Sequence, residues 1–148
     1  MVIAIGSDHG GFDLKEQVRK HLTDRGFEVK DFGCHDKSSV DYPDFGIAAA
    51  KAVASGECEK GIVVCTTGIG ISIAANKVKG IRCALCSDSF SAKMTRLHND
   101  ANVLALGGGM LGPNVAMDIV DIFLDTPFSG EEKHARRIRK IAQAEEEN

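Results

Sequence analysis

The stretch Cys65-Thr66-Thr67-Gly68-Ile69-Gly70-Ile71-Ser72 brings a thiol, hydroxyls and two glycines together within eight residues. Gly61-Ile62-Val63-Val64 precedes it and Ile73-Ala74-Ala75-Asn76-Lys77 follows, so it reads as a buried strand, a glycine-rich turn and a helix. Such a turn leaves the first N–H groups of the helix unpaired and facing outward, which suits an anion. A thiol beside a helix N-terminus is biased toward thiolate, the form that acts as base or nucleophile. A base next to oxyanion donors is what removal of a proton beside a carbonyl requires. Taken alone, Cys65 reads first as a small core residue at a strand end; the Thr-Thr-Gly-Ile-Gly after it reverses the balance in favour of chemistry.

Further polar residues cluster at comparable points. Asp8-His9 lies between Gly6 and Gly10-Gly11 after the first apolar run. Asp8 either caps the next helix or, with an imidazole beside it, moves protons to and from an oxygen. His98-Asn99-Asp100 precedes the fifth apolar run and is expected at the same end of the sheet as His9. Gly68 and Gly70 do not complete a dinucleotide fingerprint, because Ile73 stands where the third small residue belongs and Ala84-Leu85-Cys86 supplies no acidic partner. That weighs against a nucleotide-binding module. Cys83-x-x-Cys86 falls within an expected strand, where residues three apart face opposite sides; with no second pair to complete a tetrahedral site, a zinc or thiol-redox reading is rejected.

The elements that must position these groups alternate. Apolar, β-branched runs at Val2–Ile5, Phe27–Phe32, Gly61–Cys65, Ile81–Leu85 and Asn102–Leu106 read as strands. Leu14, Val18 and Leu22 at i, i+4, i+8, closed by Gly26, read as a helix. Others are expected over Tyr42–Ala54, Gly70–Lys77, Ser89–His98 and Pro113–Leu124, with Pro113 in a first turn. A last helix is expected from Ser129, where Ser129 and Glu132 have capping-box spacing. Lys133, Arg136, Arg137 and Lys140 form a basic stripe on it, supported by a Glu132–Arg136 pair. Strand alternating with helix predicts an α/β fold, a parallel sheet covered on both faces, with the binding crevice beyond the strands' carboxyl ends. Ser7-Asp8-His9, Asp31 to Asp41, Cys65-Thr66-Thr67 and Ser87-Asp88 all fall at those ends.

The 148 residues fit one domain, 1–148, with no linker or repeat. With 18 basic and 21 acidic residues, net charge −3, no basic field recruits nucleic acid or anionic lipid. No signal peptide or membrane span is expected, and five cysteines without framework spacing point to reduced thiols and the cytoplasm.

In Gly6-Ser7-Asp8-His9-Gly10-Gly11, Val40-Asp41-Tyr42-Pro43-Asp44, Cys65 through Lys77, and His98 through Gly107, the chain resembles the ribose-5-phosphate isomerase B (RpiB/LacAB) sugar-phosphate isomerases, nearly end to end. The resemblance implies a Rossmann-like three-layer α/β/α sandwich with a five-stranded parallel sheet. It also implies a homodimer, or a tetramer, with shared active sites, in which the C-terminal helix packs on a partner. The implied reaction is cofactor- and metal-free interconversion of ribose 5-phosphate and ribulose 5-phosphate through an enediolate, with allose- or galactose-6-phosphate-type isomerases as the alternative. By that resemblance Cys65 is the base and Thr67 relays protons between O1 and O2. His98 with Asp8 opens the sugar ring. Backbone N–H groups from Thr66 through Gly68 and Ile69 to Gly70 hold the enediolate. Tyr42 and Asn99 contact substrate, and His9, Lys133 and Arg137 face its phosphate. His98 and Asn99 are expected from the neighbouring chain.

The chain departs from the family pattern at three places. Thr66 replaces the glycine after the active cysteine, Gly109 stands where many relatives place an arginine, and Lys133 replaces another in the longer stretch Gly130-Glu131-Glu132-Lys133-His134. Lysine lacks the bidentate fork of arginine, so looser phosphate anchoring is expected, with larger or unphosphorylated aldoses accepted.

Overall fold

A computed structural model describes the whole chain, Met1–Asn148. The apolar runs form five parallel strands, β1 (Val2–Ser7), β2 (Glu28–Asp31), β3 (Lys60–Cys65), β4 (Cys83–Leu85) and β5 (Val103–Gly107), in the order β2-β1-β3-β5-β4. Six helices connect or follow them: α1 (Phe12–Asp24), α2 (Tyr42–Ala54), α3 (Ile69–Ala75), α4 (Ser89–Asn99), α5 (Pro113–Asp125) and α6 (Glu132–Glu146), with a 3-10 turn at His9–Gly11.

Strand alternation sorts the core into two layers. Ile3, Ile5, Ile62, Val64, Leu104 and Leu106 pack with residues of α1, α4 and α5. Ala4, Val63, Cys65, Val103 and Ala105 face α2 and α3, which meet them with Ala49, Ala50, Val53, Ile71 and Ala75. The sheet covered on both faces expected from the alternation, and the three-layer α/β/α sandwich implied by the resemblance, are therefore present. Cys86, just past β4, joins the first layer and Cys83 packs against the second, so the two sulfurs point to opposite faces of the sheet. Burial pushes their thiols up, to about 12 for Cys83 and about 11 for Cys86.

Local chemistry accounts for the helix ends. Gly26, at φ +88°, closes α1 by donating to Thr23 O while Phe27 N–H donates to Leu22 O, a Schellman ending. Pro113 opens α5. Asp88 caps α4 by accepting from Ser91 N–H at 2.7 Å, a bond that also holds its carboxyl below the usual range. This cap is what Ser87-Asp88 does at the end of the edge strand.

Four sequence expectations change. The edge strands β2 and β4 are shorter than their apolar runs: Phe27 bonds back to α1, and the strand from Ile81 begins only at Cys83. The Ser129–Glu132 capping box does not form. Ser129 Oγ accepts from Glu131 N–H at 3.4 Å, and α6 starts at Glu132 with no side-chain cap. Glu132 pairs with Arg139 at 2.7 Å instead of Arg136, and that guanidinium holds its carboxyl low. Finally, His98-Asn99 does not share an end of the sheet with His9. α4 starts beyond the carboxyl end of β4 and runs back, so His98 and Asn99 at its last turn stand at the amino edge. No helix is long and apolar enough to cross a membrane.

Candidate active site

β1 and β3 are neighbours, yet the chain leaves β1 toward β2 on one side and β3 toward β5 and β4 on the other. A crevice opens at the carboxyl ends of strands that part in this way. Here it is a cavity of about 390 Å³ lined by Asp8, Tyr42, Cys65, Thr66, Thr67, Ile69 and Gly70.

Cys65 ends β3 with its side chain buried, 5% exposed. The turn after it folds back so that Gly68 N–H donates to Cys65 Sγ at 3.2 Å. That geometry needs glycine twice over. Gly68 sits at φ +79°, and a Cβ there would lie 2.8 Å from Leu106 C. Thr67 Oγ1 accepts from Ile69 N–H at 3.2 Å, which pins the oxygen and leaves its O–H free to donate elsewhere. Two of the five N–H groups expected to hold an oxyanion are thus committed within the turn. Thr66, Thr67 and Gly70 N–H meet no acceptor in the chain.

The walls come from the neighbouring loops. Asp8 caps, accepting from Gly11 N–H at 3.0 Å, and also lines the cavity. Tyr42 opens α2 and lays its ring against Gly70, where a Cβ would be 2.7 Å from Cζ. His9, exposed and not among the lining residues, accepts Val40 N–H at Nδ1 at 3.2 Å; this assigns the ring proton to Nε2. Thr66 fills a slot between two loops. A Cβ on Gly10 would be 2.0 Å from its Oγ1, and one on Gly109 3.0 Å from its Cγ2.

Four expected site residues lie elsewhere in this chain. His98 and Asn99 end α4, while Lys133 and Arg137 project exposed from the first turns of α6. α4 and the segment leading to α6 are joined by Arg96 Nε donating to Thr126 O at 2.9 Å and Ser129 N–H to Leu97 O at 3.3 Å. These four residues thus form one group at the amino edge, away from the cavity. Two features escaped sequence reasoning. Buried Lys15 donates to both oxygens of Asp31, at 2.9 and 2.7 Å, and Asp31 accepts Gly33 N–H at 2.9 Å, anchoring the loop that leads to Tyr42. His134 stacks on His98; the family's Gly-Gly-Arg-His stretch was the only sequence signal for it.

The model for the family described as ribose/galactose isomerase matches residues 3–141. This chain belongs to that family. It is 50% identical over 149 residues to a putative sugar phosphate isomerase, YwlF, of Bacillus subtilis, covering 100% of this chain and 99% of that protein. It is 46% identical over 144 residues to ribose-5-phosphate isomerase B of Escherichia coli, covering 97% and 96%. Among solved structures, ribose-5-phosphate isomerase B of Clostridium thermocellum superposes with a TM-score of 0.98 at 56% identity, covering 99% of each chain. Family membership sets aside the nucleotide-module and redox alternatives and places the chain among aldose–ketose isomerases.

Proposed function

We propose that this chain interconverts ribose 5-phosphate and ribulose 5-phosphate, with Cys65 as the base. The observation that carries the reading is one cavity lined by Cys65, Asp8, Thr66, Thr67 and Gly70, the last three with N–H groups that meet no acceptor in the chain. The names borne by the E. coli relative and the C. thermocellum structure support the substrate.

In the proposed reaction Asp8 and His98 open the furanose, moving a proton from the C1 hydroxyl to the ring oxygen. The Cys65 thiolate then takes the C2 proton of the open aldehyde. Negative charge develops on O1, where the free N–H groups hold it; a donor so placed is worth roughly 2.7–4 kcal/mol. Thr67 passes a proton from O2 to O1, and the Cys65 thiol, its proton exchanging with solvent while the enediolate is held, protonates C1 to give the ketose. The Gly68 N–H, donated to Sγ at 3.2 Å, holds the sulfur in place for both transfers. None of these steps calls for a metal.

His98, Asn99, Lys133 and Arg137 stand at the far edge from Cys65 in their own chain, so a complete site takes them from a second copy. We infer a homodimer with two shared sites, in which residues 1–148 are one isomerase unit and α6 packs at the partner's cavity, with His9 and Tyr42 contacting substrate from the cavity side. Reduced thiols fit a cytoplasmic enzyme.

A second reading concerns specificity. Gly109 and Lys133 replace two arginines at the phosphate end, which favours acceptance of hexose phosphates or free aldoses. A coupled assay over pentose and hexose phosphates, ribose and allose, with EDTA present, tests both readings. Turnover of ribose 5-phosphate is expected, with free sugars measurably turned over. Absence of pentose-phosphate turnover contradicts the first reading, and a phosphate preference of many orders of magnitude contradicts the second.

A further inference from the structure

His98 is exposed, yet one face of its imidazole is covered. The ring of His134 lies parallel to it, 18° between planes and 4.2 Å between centroids. His134 is itself buried, 8% exposed, and its Nε2 stands 3.6 Å from a Glu131 carboxylate oxygen. The backbone beneath His98 is held as well. Arg96 Nη1 donates to Asp100 Oδ1 at 2.8 Å and Ala101 O at 2.7 Å, and Ser129 N–H reaches Leu97 O at 3.3 Å.

An exposed histidine explores several rotamers, and ordering it for proton transfer has an entropic cost. A buried flat ring against its face restricts those rotamers before substrate arrives. Two stacked imidazoles stay together when they do not both carry charge, and burial first, then His98, disfavours the charged form of His134.

We infer that His134 is a positioning residue for ring opening: by stacking, it fixes the imidazole of His98 in the orientation that exchanges protons with the sugar ring. This rests on the ribose-5-phosphate reading above. It assigns a role to a side chain that touches neither the cavity of its own chain nor the reacting carbons.

Ring opening and enolisation can be read separately. Ribose 5-phosphate is a furanose, whereas ribulose 5-phosphate is acyclic because its O5 is esterified. Loss of deuterium from C1 of labelled ribulose 5-phosphate therefore reports Cys65 chemistry without ring closure. Replacing the stacked ring is expected to lower kcat for ribose 5-phosphate in His134→Ala by about 10- to 100-fold, the scale of a misplaced catalytic group, while C1 washout stays near the wild-type rate. His134→Phe keeps the stack without the nitrogens and is expected to restore kcat. His98→Asn/His134→Ala is expected to be no slower than His98→Asn alone, because one residue acts through the other. Equal losses of isomerisation and washout in His134→Ala, unchanged isomerisation, or a His134→Phe variant as slow as His134→Ala would each overturn the assignment. A wild-type chain inactive on ribose 5-phosphate would instead refute the substrate reading.

Discussion

Gly68 N–H points at Cys65 Sγ from 3.2 Å, so the turn that leaves the Thr66, Thr67 and Gly70 N–H groups without acceptors also holds the sulfur. Gly68→Ala is expected to disturb both. The backbone is at φ +79°, and an added Cβ meets Leu106 C at 2.8 Å and Leu85 Cδ1 at 2.6 Å. Left-handed strain alone costs about 1–3 kcal/mol, so a lower Tm together with a fall in kcat is expected. Unchanged thermal unfolding would contradict the turn geometry.

Cys65→Ala is expected to remove isomerisation, at least the ~100- to 10,000-fold a positioned base contributes, and to leave circular dichroism unchanged. Its side chain is small, and the layer around it is already built of alanine and valine. Near-normal kcat in this variant would place the base elsewhere.

Thr66 and Gly109 are coupled by contact, since a Cβ at 109 would approach Thr66 Cγ2 to 3.0 Å. Gly109→Arg alone is expected to be destabilised, and Thr66→Gly/Gly109→Arg to recover stability and show a higher ratio of kcat/KM for ribose 5-phosphate over ribose. Coupling between touching residues lies in the range of about 0.5–3 kcal/mol, readable from Tm values of the four proteins. Simple additivity would remove the claim.

Alternating apolar runs were enough to read the helices and the two-layered core, because strand and helix periods are local properties. Strand order is not local. β5 enters between β3 and β4, and nothing in either segment shows it. The placement of His98 illustrates the difference: its sequence position before a strand puts it at the amino edge once the sheet is parallel, whereas its resemblance to His9 in residue type suggested the opposite edge. The capping box failed for a related reason. Ser129 N–H is bonded to Leu97 O on α4, a tertiary contact that sets where α6 begins. Thr66 was legible as a departure, but the slot it fills between Gly10 and Gly109 required three loops in space.

Lys15 is 1% exposed and Asp31 22% exposed, in a bidentate pair. Breaking a buried pair from one side costs about 3–5 kcal/mol, and partial exposure of Asp31 puts Lys15→Met toward the lower figure. Because Asp31 also holds Gly33 N–H at 2.9 Å, KM is expected to rise with the loss of Tm. Denaturant unfolding and steady-state kinetics check both, and an unaltered midpoint would contradict the role.

The imidazole of His134 is held below the usual histidine range by burial and then by His98, with Lys133 and Arg137 adding to the effect and Glu131 opposing it. The unfolded chain therefore takes up this proton before the folded one. The associated stability is complete above the ordinary histidine value of about 6.5 and is lost as pH falls through it toward the lowered one. His134→Phe is expected to flatten the Tm-versus-pH curve in that acid window, and an unchanged slope would contradict the burial argument.

Isomerisation in deuterium oxide examines proton transfer by Cys65 most directly. Ribulose 5-phosphate formed from ribose 5-phosphate is expected to carry solvent deuterium at C1, with label also entering C2 of the recovered aldose. Product free of deuterium, with the C2 hydrogen delivered intact to C1, would mean a hydride shift and contradict a thiolate base.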